Sequence, residues 1–101
     1  MIVIAGRIVV DPNKSDAAIP VAQEMMEETL KESGCATYKF SADLEEKGVF
    51  HIFEEWDGQE VLDAHFASPH MAKFQKAVGE FGVVELSVSR YVVSKKGPLG
   101  G

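Results

Sequence analysis

The side chains of this sequence best able to move protons or electrons are three histidines, one tryptophan, two tyrosines and one cysteine. His51 sits inside an apolar run from Val49 to Trp56, while His65 and His70 flank the dipeptide Ser68-Pro69. An imidazole titrates near neutrality, so each histidine is equipped to take or give a proton. The alternatives are a core packing role for His51 and His65 and a surface or capping role for His70. His65 and His70 are not spaced like two histidines on one helical face, and no cysteine or carboxylate motif accompanies them, so no metal site is expected. Trp56 ends the apolar run, as a core anchor or as a pocket wall. Tyr38 and Tyr91 fall in alternating segments where packing accounts for them. The two arginines, Arg7 and Arg90, stand among apolar neighbours. A partly buried guanidinium there needs a counter-charge such as Glu54, Glu55 or Glu85, or else an anionic ligand. Cys35 has no basic neighbour in the sequence to activate it. Glycine-rich phosphate loops, dinucleotide fingerprints and nucleophile elbows are absent, so nucleotide and flavin chemistry have no local support.

These residues must be positioned by one small domain, since the chain has 101 residues. With 46% hydrophobic and 26% charged residues it has an ordinary globular composition. The net charge of -6 argues against nucleic acid and against anionic membrane surfaces. A single cysteine forbids an internal disulfide and suits a reducing compartment. The start, Met1-Ile2-Val3-Ile4-Ala5, lacks a basic leader, and no apolar run is long enough to span a bilayer. A cytoplasmic location is therefore expected.

Hydrophobic period and turn chemistry predict four strands and two helical regions, the second of them in two segments. Ile2 to Val10 is β-branched and stops at Asp11-Pro12-Asn13. A helix follows, capped by Ser15 or Asp16 with Pro20 in its first turn, and Gly34 ends it. Ala36 to Ala42 alternates as a strand, 43–48 is a hairpin connection, and Val49 to Trp56 is the third strand. Asp57 is placed to cap a short helix from Gly58 to Ala67. Ser68 and Pro69 then open a second helical segment to about Glu80. Val83 to Val93 is the last strand. The order is that of a ferredoxin-like βαββαβ fold, class α+β, with an antiparallel sheet and helices on one face. A domain over 1–94 and a loose tail over 95–101 are expected. Strands one and three read as apolar on both sides, which calls for a second cover, and a second copy of the chain is the simplest one.

The stretch Phe53 to Met71 carries Glu55-Trp56, then His65, then Ser68-Pro69-His70, and the junction Glu32-Ser33-Gly34-Cys35 precedes Tyr38. In these features the chain resembles the antibiotic biosynthesis monooxygenase family, over almost its whole length, and within it the quinol monooxygenase-like branch. The resemblance implies a homodimeric α/β barrel with a pocket between sheet and helices. Members include cofactor-independent oxygenases, haem-degrading enzymes and an isomerase. Anthrone oxygenases of the family use polar residues where this chain has Ile52, Leu62 and Lys76. The haem-degrading members use an Asn, a Trp and a haem-ligating His where it has Gly6, His65 and Gln75. Haem degradation is thereby disfavoured.

The resulting expectation is a cofactor-independent monooxygenase acting on a small aromatic, such as a hydroquinone, with dioxygen as the other reactant. His65, His51 and Trp56 are the expected catalytic residues. Phe66, Tyr38, Phe74, Met71 and Arg7 are the expected substrate contacts, with neither metal nor cofactor. A non-oxidative isomerase on the same scaffold and a ligand-binding stress-response module are the alternatives.

Overall fold

A computed structural model describes residues 1–100; Gly101, the end of the expected tail, lies outside the described residues. The strands are β1 (Ile2–Val9), β2 (Cys35–Ala42), β3 (Val49–Trp56) and β4 (Glu85–Val92), and the helices are α1 (Ser15–Thr29), α2 (Gln59–Phe66) and α3 (Pro69–Val78). All strand pairs are antiparallel, in the order β2-β3-β1-β4. The βαββαβ order predicted from the sequence is present, with the second helical region split at Ser68.

Side chains alternate across a strand, so one register fixes both faces of the sheet. Ile2, Ile4 and Ile8 of β1 point inward with Phe50, Ile52, Glu54 and Trp56 of β3 and with Tyr38 and Phe40 of β2. Ala18 and Met25 of α1 and Leu62 of α2 close this core from the helix side. The outward set mixes Val3, Ala5 and Phe53 with Arg7, Thr37, Lys39, Ser41, His51, Ser87 and Ser89.

The expected dimeric α/β barrel is corrected here. The sheet is open, with β2 and β4 at its two edges, and it does not close on itself. Its outer face carries polar residues at alternate positions, so the two fully apolar faces that called for a second copy are not both there; one sheet face and one helix layer account for the buried core. The most exposed apolar residues of β4, Leu86 and Val92 (68% and 74% exposed), are instead on the helix side, beyond the reach of α2 and α3.

Two helix starts also differ from expectation. A 3-10 turn, Pro12–Lys14, runs directly into α1, and Lys14 occupies the cap without a side-chain bond. Neither Ser15 nor Asp16 therefore caps the helix, and Pro20 lies inside α1. Gly58, not Asp57, precedes α2. Ser68 does cap α3, accepting from the Met71 N–H at 3.2 Å, with Pro69 at the first helical position.

Gly34 has the left-handed backbone expected of a residue past a helix end, at φ +86°. Its carbonyl accepts from the Asp57 N–H at 2.8 Å. A Cβ there would lie 2.6 Å from Val61 Cγ1. The turn after α1 is thus pressed against α2, which brings Glu32 to the second helical region. Gly34→Ala is expected to lower stability by about 2 kcal/mol, from left-handed strain and the clash with Val61 together. Urea unfolding measures it, and an unchanged midpoint would show that the turn adapts freely.

Candidate functional site

The inner face of the sheet is only partly roofed. Where α2 and α3 stop short of β4, a cavity of about 440 Å³ opens between sheet and helices. Its walls are mostly apolar, from Ile4, Ile8, Ile52, Leu62, Phe66, Met71, Phe74 and Val88, and its polar side chains include Glu54, His65 and Arg90. A concave apolar space with a few converging polar groups is the usual form of a small-molecule site.

Glu54 comes from β3, in phase with Ile52 and Trp56, and opposes Tyr38 in the β2–β3 register. It is 5% exposed. The Trp56 indole N–H donates to Glu54 Oε1 at 2.8 Å. Loss of solvent raises the carboxyl to about 7; the Trp56 hydrogen bond opposes that rise and the nearby Glu32 charge adds to it. A carboxyl that titrates near neutrality inside a cavity can act as acid or as base.

His65 comes from the last turn of α2 and is 1% exposed. Its ring lies 4.7 Å from the Trp56 ring and 5.4 Å from that of Tyr38. His65 Nδ1 is 2.7 Å from Glu32 Oε2, and His70 Nε2 is 2.7 Å from the same oxygen. A carboxylate oxygen can accept from both rings, so the two contacts suit an N–H at His65 Nδ1 and at His70 Nε2. With Nδ1 committed to Glu32, Nε2 is the His65 nitrogen left for a bound molecule. The Ser68 hydroxyl donates to the His65 carbonyl at 2.6 Å, tying the end of α2 to the start of α3.

A model of the antibiotic biosynthesis monooxygenase family matches residues 1–77. This chain belongs to that family. A curated relative, the uncharacterized protein sll1783 of Synechocystis, is 38% identical over 73 residues, covering 72% of this chain. The chain spans about half the length of that relative, 50%. Among solved structures, a conserved Methanosarcina mazei protein is 29% identical with a TM-score of 0.82, covering 89% of each chain. Rv0793 of Mycobacterium tuberculosis is 26% identical with a TM-score of 0.84, covering 96% of this chain and 97% of that one. A Deinococcus radiodurans protein at 24% identity shares the fold over 100% of both chains, with a TM-score of 0.91.

In this family member the sequence-derived site residues fall in three places. His65, Tyr38, Phe66, Phe74 and Met71 all line the cavity. Trp56 is fully buried, at 0% exposure, behind Glu54 and His65, where it supports both. His51 and Arg7 oppose one another on the outer face. His51 Nε2 lies 2.8 Å from Asp43 Oδ1, and Arg7 Nε is 2.9 Å from Glu85 Oε2. The sheet therefore stands between these two residues and the cavity. Arg90 lines the cavity instead, donating to Gln59 Oε1 at 3.0 Å. The Cys35 thiol is pushed up to about 11 by burial and by the charges of Glu54 and Glu32, so near neutrality it is not a thiolate nucleophile. No helix among the described residues is long and apolar enough to cross a membrane.

Glu54 and Glu32 are the two site residues that sequence reasoning did not single out. The signal for Glu54 was its phase: Phe50, Ile52, Glu54 and Trp56 share one strand face. The signal for Glu32 was its place just before the Gly34 turn.

Between the ordinary glutamate pKa of 4.5 and about 7, folded Glu54 holds a proton that the unfolded chain has lost. Stability therefore falls as pH rises through that window, by on the order of 3 kcal/mol in all. Glu54→Gln removes this slope. In urea unfolding the variant is expected to gain on the wild type between pH 5 and pH 8; parallel curves for the two proteins would contradict the burial account.

Proposed function

We propose that this family member is a cofactor-independent monooxygenase acting on a small electron-rich aromatic such as a hydroquinone, as in the quinol branch of the family. The observation carrying this reading is the presence of two proton-transfer groups, Glu54 and His65, on the wall of one apolar cavity. A hydroquinone must lose a proton before it gives electrons to dioxygen. His65 Nε2 takes that proton, and the ring is held among Phe66, Tyr38, Met71 and Phe74. Glu54, half-protonated near neutrality, supplies a proton to the reduced oxygen. One oxygen atom enters the ring and the other leaves as water. The substrate provides all the electrons as it becomes a hydroxyquinone, so the balance needs no external reductant. The apolar walls keep water from the reactive pair.

A non-oxidative isomerase is the second reading. It draws support from Ile52 and Leu62, apolar residues that stand where the anthrone oxygenases of the family carry polar groups.

Oxygen uptake by the purified protein over a panel of hydroquinones tests the proposal. Uptake above the autoxidation rate is expected, falling about a hundred- to ten-thousandfold in His65→Gln. Isomerised product without oxygen uptake would favour the second reading, and undiminished uptake in His65→Gln would remove the histidine from the mechanism.

A further inference from the structure

Glu32 of the turn after α1, His65 of α2 and His70 of α3 bring ligating atoms within 4.8 Å of one another. Two imidazoles and a carboxylate suit a transition metal in kind. The distances favour another arrangement. Around a tetrahedral ion with bonds of 2.0–2.1 Å, neighbouring ligand atoms stand roughly 3.3 Å apart. Here both imidazole nitrogens are 2.7 Å from a single oxygen, Glu32 Oε2. That is the spacing of charge-assisted N–H···O bonds.

We propose that Glu32, itself held by His70, is a positioning residue for the proton transfer assigned to His65, an inference that rests on the function proposed above. A neutral imidazole carries one proton, and the 2.7 Å contact places it on Nδ1. The lone pair is then on Nε2, the ring nitrogen that Glu32 does not hold, on a residue that lines the cavity. When Nε2 takes a proton, the imidazolium is buried with 1% of its side chain exposed, and Glu32 is the carboxylate beside it. A carboxylate behind a histidine base acts in this way in hydrolytic triads, holding the tautomer and steadying the cation. His70, with 19% of its side chain exposed, gives the same oxygen a second donor from the surface side. The cap at Ser68 sets His70 in the first turn of α3, and the turn at Gly34 sets Glu32, so two local backbone features fix the arrangement.

The experiment pairs nitrogen-15 NMR of the histidine rings with steady-state kinetics on wild type, Glu32→Gln, Glu32→Asp and His70→Gln. The wild type is expected to show His65 protonated at Nδ1 and bare at Nε2. Glu32→Gln is expected to shift or mix the tautomers and to lower kcat roughly a hundredfold or more, with KM little changed. Glu32→Asp restores part of both, and His70→Gln has a smaller effect of the same kind. A wild-type His65 protonated at Nε2, a tautomer unmoved by Glu32→Gln, or a stoichiometric metal ion held by the three side chains would each overturn the proposal. The NMR result does not depend on turnover. A protein with the expected tautomer and no oxygen uptake would therefore sink the monooxygenase reading alone.

Discussion

Placing a carboxyl in the inward phase of a central strand is the constraint from which the site follows. Glu54 shares its face with Phe50, Ile52 and Trp56, so the hydrophobic alternation that builds the core also draws an acid into it. Burying an ionised carboxylate is costly, and proteins meet the cost by hydrogen bonding or by protonation. Here the Trp56 N–H supplies one bond, and protonation near neutrality does the rest. The open roof gives this acid its access to a bound molecule. If α2 and α3 reached β4, Glu54 would be sealed from any substrate. They stop short, and Leu86 and Val88 of β4 are left as an apolar floor beside it.

The second half of the site depends on a break. Had α2 and α3 been one continuous helix, residues five apart would diverge by more than a quarter turn. Ser68 ends one helix through its hydroxyl and caps the next through the same oxygen. His65 and His70 then converge on Glu32, which the Gly34 turn delivers from the end of α1. The site is assembled from short-range backbone chemistry at two junctions, and the sheet provides the rigid wall against which they close.

Much of this was legible in the residues. The element order, the Gly34 stop, the Ser68-Pro69 start, and five of the cavity residues, Tyr38, His65, Phe66, Met71 and Phe74, follow from periodicity, turn chemistry and the family resemblance. On the strands, the differences from expectation share one cause, that a strand's two faces cannot be assigned without register. His51 and Arg7 fell on the outer face with Asp43 and Glu85, while Glu54, read only as a counter-charge for arginine, fell on the inner one. The barrel expectation failed for the same reason, because apolar residues on both sides of β1 and β3 were weighed without the polar residues that β2 and β4 add to the outer face. The convergence of His65 and His70 was hidden in a spacing that makes sense only across a helix break.

The chemistry of the site depends on whether Glu54 is a carboxyl that titrates inside the cavity. Carbon-13 NMR of the glutamate side-chain carboxyls, assigned by comparison with Glu54→Gln, measures this directly as pH is varied. A Glu54 midpoint near 7 is expected. A midpoint in the ordinary glutamate range, about 4.3, would mean that solvent or an unseen partner serves this carboxyl, and the cavity would lose the acid on which its proposed chemistry rests.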